Sequence, residues 1–162
     1  MATPAPVPEA RLLPFLTFRL GDQTYALPIE QVVEVAAMVE VATVAGAPAA
    51  LLGVVNRHGG VLPLLDLRLV FQQPAAPVDD STLFVVAALD TRLVGLVVDE
   101  VYQVAYFDAE QLAATPLSEK YVDSILTHRE QLIQVVALPA LLASFLPDGA
   151  AGRGYAESES AP

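Results

Sequence analysis

The chain has 162 residues, 54% hydrophobic and 17% charged, with 8 Lys and Arg against 19 Asp and Glu for a net charge of −11. Such a length gives one domain with a self-sufficient core, while the acidity argues against electrostatic binding of nucleic acid or of an anionic membrane face. With no cysteine, disulfides, thiolate zinc sites and thiol catalysis are excluded, in keeping with a reducing cytoplasm.

Residues 1–11 are rich in Ala and Pro and read as a disordered arm without the basic-then-apolar shape of a signal peptide. An apolar block follows over 12–146, in which no run is long enough to span a membrane. Leu16, Phe18 and Leu20 alternate with Thr17 and Arg19, predicting a strand. A turn at Gly21-Asp22 leads to a second strand through Tyr25 and Leu27. Val33 to Met38 is another strand candidate. Pro48 to Leu52, closed by Gly53, has the proline-first, glycine-last asymmetry of a short helix. Apolar strands then flank Asn56-Arg57-His58-Gly59-Gly60, and Leu67 to Phe71 suits a single helical turn that Asp66 can cap. Gln72 to Thr82, with two prolines and two aspartates, reads as a loop over 72–82. Beyond it, 84–89 and 93–98 predict a hairpin through Asp90-Thr91-Arg92, and Val101 to Phe107 and Leu132 to Leu138 predict strands. Pro139 to Leu146 is the best helix, stopped by Pro147. Residues 147–162 are small, polar and acidic and read as a disordered tail.

The block repeats itself. Residues 15–35 match 84–104 without a gap at an offset of 84 − 15 = 69, and 54–67 match 125–138 at 125 − 54 = 71. Self-similarity at fixed spacing is a property of the fold. Short strands, turn signals and no strand–helix rhythm predict a mainly β protein of two fused, small five-stranded barrels with a few short helices. One barrel is expected per half, about 14–71 and about 83–146.

The chemistry-bearing residue types do not converge on a catalytic centre. His58 and His128 each stand beside an arginine, in neither a His-x-x-x-His nor a Glu-x-x-His pattern, so no metal or cofactor is predicted. No Gly-x-Ser-x-Gly elbow or phosphate loop is present. Asp66 and Asp90 lack the glycine turn of a paired-carboxylate protease, and each has an arginine two residues on. No catalytic residue is assigned. A ligand-binding barrel is a further possibility, although barrels this small are generally filled by their own side chains. The turn at Asn56 to Gly60 reads either as a glycine-requiring hairpin or as a contact tip held by stiff strands. Glu34 reads either as a solvated strand residue or as a contact at an interface rim.

Three motifs carry a resemblance. Tyr25-Ala26-Leu27-Pro28-Ile29 with Val32-Val33-Glu34-Val35 comes first, then Asn56-Arg57-His58-Gly59 running through Val61-Leu62-Pro63-Leu64-Leu65 to Asp66-Leu67-Arg68, and then Gly95-Leu96-Val97-Val98-Asp99-Glu100-Val101. In order and spacing these resemble the CheW-like family of chemotaxis coupling proteins and kinase regulatory domains, over about 14–146. The resemblance implies twin SH3-like barrels and a non-enzymatic cytoplasmic adaptor in a bacterial chemosensory array. It implies two partners, the regulatory domain of a histidine kinase and the helical hairpin at a chemoreceptor's cytoplasmic tip, with neither nucleic-acid binding nor membrane insertion. Val32, Glu34, Gly53, Asn56, Arg57, His58 and Gly59 are the expected partner-binding surface or its support, and the stretch from Leu96 to Val104 the kinase-facing side. His58 stands where the family has its loop arginine, with Arg57 in the usual leucine place. A guanidinium is always charged and forks to carboxylates, whereas an imidazole is a weaker, pH-dependent partner. That substitution leaves open an alternative, a stand-alone regulatory module of a histidine kinase in a pathway without chemoreceptors.

Overall fold

The computed structural model describes residues 11–115, 119–147 and 152–153. The expected arm over 1–11 lies outside the described residues except for Arg11, and so does most of the tail. Within the described residues, twelve strands and two helices follow one another. They are β1 (Leu12–Leu20), β2 (Gln23–Pro28), β3 (Val32–Ala37), β4 (Leu51–Arg57), β5 (Gly60–Asp66), α1 (Leu67–Val70), β6 (Leu83–Leu89), β7 (Arg92–Val98), β8 (Glu100–Asp108), β9 (Leu112–Ala114), β10 (Val122–His128), β11 (Gln131–Val136), α2 (Leu138–Phe145) and β12 (Gly152–Arg153). Single 3-10 turns precede β3 and β9.

Two curved sheets result, one ordered β8-β1-β2-β11-β10-β9 and the other β3-β6-β7-β5-β4, with β12 paired to β7. We call them the β1 barrel and the β6 barrel. The twin-barrel, mainly β architecture is as the sequence predicts, but the division into halves is not. Each barrel takes a hairpin from one half and strands from the other: β1 and β2 join β8, β9, β10 and β11, while β6 and β7 join β3, β4 and β5. The duplication persists in the pairing. Val32 pairs with Ala87 as Phe18 pairs with Val101, and the parallel pair Leu64–Gly95 has its counterpart in Val135–Ala26. Matching copies offer matching edges, so the sequence pattern is equally satisfied by closure within a half or by exchange between halves. Domain swapping uses the same degeneracy.

Burial follows the alternation. Phe15 and Ala26 point into the β1 barrel with Phe107, Leu126, Ile133 and Val135. Phe84 and Val86 point into the β6 barrel with Ala36, Val55, Leu62 and Leu64. The opposite faces of the same strands meet in a seam, where Leu16, Phe18 and Leu20 pack with Val85, Ala87 and Leu96 and with α2 through Leu138, Leu141 and Leu142. Strands buried on both faces explain the high apolar content, and the barrel interiors are filled by side chains.

One predicted element is replaced. The stretch Pro48 to Leu52 is a turn, Leu51 N–H donating to the Pro48 carbonyl, and it feeds straight into β4. Gly53 therefore sits inside a strand, at φ +149. A Cβ there would lie 2.2 Å from the Ala42 carbonyl oxygen, because Ala42 and Val54 form a bridge across it. The glycine marks a close backbone approach, not a helix end.

Candidate partner-binding site

β3 and β4 are the first and last strands of their sheet, so closing the β6 barrel brings them together. Three predicted residues meet at this closure. The Arg57 Nε donates to Glu34 Oε1, and His58 Nε2 lies 3.3 Å from the same oxygen. The guanidinium also sits over the Phe84 ring, 5.9 Å from its centroid, and so covers the mouth of the apolar interior. Partial burial pushes the Glu34 carboxyl up. The hydrogen bond and charge of Arg57, helped by His58, outweigh that and hold it below its ordinary value.

The turn that presents these groups has its own local cause. Arg57 pairs with Gly60, leaving a two-residue connection in which His58 and Gly59 have φ of 51 and 78. Positive φ at both positions is the geometry whose twist matches flanking strands, and Gly59 adopts it without strain. Asn56 and Gly59 are exposed on the same hairpin. Val32 and Gly53 are not part of the cluster. Val32 is half-buried against the seam and Gly53 is buried beneath Ala42, so both brace strands. Nor is the stretch from Leu96 to Val104 one surface. Leu96, Val97 and Val98 are buried, and only its β8 portion, with Tyr102 and Val104, reaches solvent.

The sequence reading missed what lies around the turn. Val33, Val35, Val39 and Val61 are exposed. Val39, Val54 and Val61, with Glu40 and Asn56, line a shallow groove of about 380 Å³. An apolar strip with a charged and amide rim is the anatomy of a protein-binding patch. Part of the signal was available in Val33 and Val35, which alternate with Glu34 and the buried Ala36, but it took the barrel's closure to set Val39 beside Val61.

A second polar cluster, also missed, holds the barrels together. Asp66 caps α1 as expected, accepting from Arg68 N at 3.0 Å. The Arg68 side chain, almost fully buried, donates from Nε and Nη2 to both Asp66 oxygens at 2.9 and 3.0 Å, and from Nη1 to Asp99 at 3.2 Å. The other Asp99 oxygen accepts from Gly21 N at 2.7 Å. The chain of contacts thus runs from the end of β5 in one barrel to the β1–β2 turn of the other. The Asp66 hydrogen bond, working against burial, makes Arg68 harder to deprotonate than an ordinary arginine. The only sequence trace of this clamp is the Asp-x-Arg spacing at a helix start.

Among the described residues no group of three or more His, Asp or Glu is placed to hold a metal ion, and no helix is long and apolar enough to cross a membrane. The structure therefore defines a twin β-barrel protein whose most differentiated surface is a charged turn beside an apolar strip.

A family model described as a CheW-like domain matches residues 14–145. The chain is 33% identical over 135 residues to the chemotaxis protein CheW of Klebsiella aerogenes, covering 80% of this chain and 81% of that protein. It is 28% identical over 134 residues to the chemotaxis protein CheW of Rhizobium meliloti, covering 80% and 86%. In fold it is similar to the scaffolding protein TtCheW from Thermoanaerobacter tengcongensis, with a TM-score of 0.73 at 22% identity, covering 78% of this chain and 90% of that one. The chain belongs to the CheW-like family.

Proposed function

We propose that this protein is a non-enzymatic cytoplasmic adaptor that couples the signalling tips of chemoreceptors to a histidine kinase and is recruited beneath the membrane through the receptors. One observation carries the reading: the Glu34–Arg57–His58 cluster at the rim of the Val39–Val61 strip. A helical hairpin docks by laying an apolar face into such a strip, with charges fixing its register. Relatives named as chemotaxis and scaffolding proteins support the same role. In this reading Glu34, Asn56, Arg57, His58 and Gly59 touch the receptor, and Val32 and Gly53 hold the strands that present them. The kinase's regulatory domain meets β8, where Tyr102, Val104 and Tyr106 alternate outward along an edge strand. Each contact is weak alone and gains from repetition in an array.

Co-purification with a receptor coiled-coil fragment tests the reading. Wild type is expected to retain the fragment, and Arg57→Glu to lose it while remaining folded by circular dichroism. Equal recovery with both proteins overturns the assigned surface. Retention of a kinase regulatory domain alone, with no receptor fragment, turns the reading into that of a kinase module without chemoreceptors.

A further inference from the structure

We propose that the cleft between β2, β11 and the turn after α1 binds a neutral, polyhydroxylated small molecule with the chemistry of a free sugar. The cleft has a volume of about 800 Å³ and is lined from both barrels. Gln23, Tyr25 and Gln134 come from the β1 barrel, and Phe71, Gln72 and Gln73 from the end of α1 in the β6 barrel. That is the size of a small-molecule site, and the receptor-contact reading makes no use of it. A strained residue is the first observation. α1 ends with Gln72 at φ 57, its N–H donating to the Leu69 carbonyl at 3.3 Å and that of Gln73 to the Arg68 carbonyl at 2.8 Å. Helix ends of this kind ordinarily place glycine at the left-handed position, where a side chain is strained. Gln72 is exposed, so packing does not offset the strain, but it borders the cleft. Gln73 crosses Gly21, where a Cβ would strike its Oε1, and donates from Nε2 to the Tyr25 hydroxyl at 3.5 Å.

A buried hydroxyl is the second observation. Tyr25 is 2% exposed, yet it borders the cleft. Burial pushes its hydroxyl up, against the hydrogen bonds of Gln73 and Gln134, so it keeps its proton at neutral pH. A phenol both accepts and donates, so with Gln73 donating to it the Tyr25 proton is left for a further acceptor. Around it the amides hold one another in place. Gln134 Nε2 donates to Gln23 Oε1 at 2.7 Å, and Gln131 Nε2 to Thr24 Oγ1 at 2.9 Å. The opposite ends of these amides, Gln134 Oε1, Gln131 Oε1 and Gln23 Nε2, keep capacity for a ligand. Uncharged donors and acceptors thus stand together, which suits hydroxyls, each of them both. Asp22 and Glu119 outnumber Lys120 along the cleft, which disfavours a phosphate. The rings form no flat slot for a base: Phe71 is tilted 42° to Tyr25 and stands at 87° to Tyr121, whose ring Lys120 covers at 5.7 Å. Staggered rings of this kind offer apolar edges and faces to the C–H side of a puckered sugar ring. A ligand so held touches both barrels beside the Arg68 clamp, and its binding stabilises their junction.

Titration of the isotope-labelled full-length protein with maltose, followed by NMR, tests the proposal. The side-chain amide signals of Gln73 and Gln134 are expected to move and to saturate with a Kd of about 1 mM or tighter. Saturation separates binding from the general stabilisation by excluded sugars, which rises steadily with concentration. Tyr25→Phe is expected to weaken binding at least about tenfold, because the site then lacks a donor built for a ligand oxygen. Gln72→Gly is expected to raise the denaturation midpoint, since glycine is unstrained there, and yet to weaken maltose binding; a merely structural residue would move the midpoint alone. Maltose 1-phosphate is expected to bind more weakly than maltose. Signals that stay in place, that drift without saturating, or that saturate at equal affinity in wild type and Tyr25→Phe overturn the proposal, and so does tighter binding of the phosphate. If Tyr25→Phe does not fold, equal affinity in wild type and Gln72→Gly overturns it instead.

Discussion

The two barrels are closed at equivalent places by different chemistry. In the β6 barrel, Arg57 bonds Glu34 across the meeting of β3 and β4. In the β1 barrel the matching turn residue, His128, packs edge-on against Phe107 at 5.3 Å, and Gln111 donates to the Thr127 carbonyl at 3.1 Å. The helical corners differ likewise. α1 is capped by Asp66 and holds the Arg68 clamp, whereas α2 follows Ala137, which supplies no side-chain cap, and buries leucines. One scaffold accepts either solution, so folding does not demand a charged closure in the β6 barrel. Its partly exposed charges are therefore the ones we propose to bind a partner, while the buried Arg68 clamp, which ties the two barrels, is committed to structure.

The largest break in this comparison is expected at the clamp. Arg68→Ala strands two aspartates at the seam and should cost about 3–5 kcal/mol in urea denaturation; a loss below about 1 kcal/mol would show the clamp to be dispensable. Next comes the pair Gly53 and Ser124, equivalent positions in β4 and β10. Gly53→Ala drives a Cβ into the Ala42 carbonyl and should cost about 1–3 kcal/mol, while Ser124→Ala should change stability by less than about 0.5 kcal/mol. Equal effects would remove the asymmetry between the strands. The β10–β11 turn places Arg129 and Glu130 at φ of 50 and 66 without a glycine. Glu130→Gly should therefore stabilise the protein by about 1 kcal/mol, seen as a rise in the denaturation midpoint.

The smallest effect is electrostatic. Glu34→Gln should cost about 0.5–1 kcal/mol, because the pair is partly exposed. Since the Glu34 carboxyl is held below its ordinary value in the folded protein, its contribution is present above the normal glutamate range and fades as pH falls through the lowered folded value. Wild type and Glu34→Gln should thus converge in stability in acid and diverge towards neutral pH. A constant difference across that range would contradict the ion pair.

The hairpins were legible in the sequence because their causes are local. Gly21-Asp22 and His58-Gly59 sit between alternating strands, and the turn fixes the register. The exchange of hairpins between halves was not legible, since repeated copies carry identical edges and no residue names its partner strand. Pro48 to Gly53 misled because proline and glycine also punctuate a turn and a tight strand crossing; only the neighbouring Ala42 carbonyl distinguishes these. Glu34, Arg57 and His58 were picked out one by one as rim and turn residues. Their meeting at Glu34 Oε1 depends on barrel closure, which places β3 beside β4 from 23 positions away in sequence. Arg68 was the hardest case, because a buried arginine looks like a surface residue until both of its carboxylate partners are located.

The most direct measurement is titration calorimetry of a receptor-tip helical hairpin against wild type, Arg57→Glu and Arg129→Glu, the last placing the same charge change on the corresponding turn of the β1 barrel. Binding weakened at least about tenfold, or about 1.4 kcal/mol, by Arg57→Glu and left intact by Arg129→Glu is the predicted result. Equal affinities for all three proteins, or a loss confined to Arg129→Glu, would contradict the placing of the partner surface on the β6 barrel.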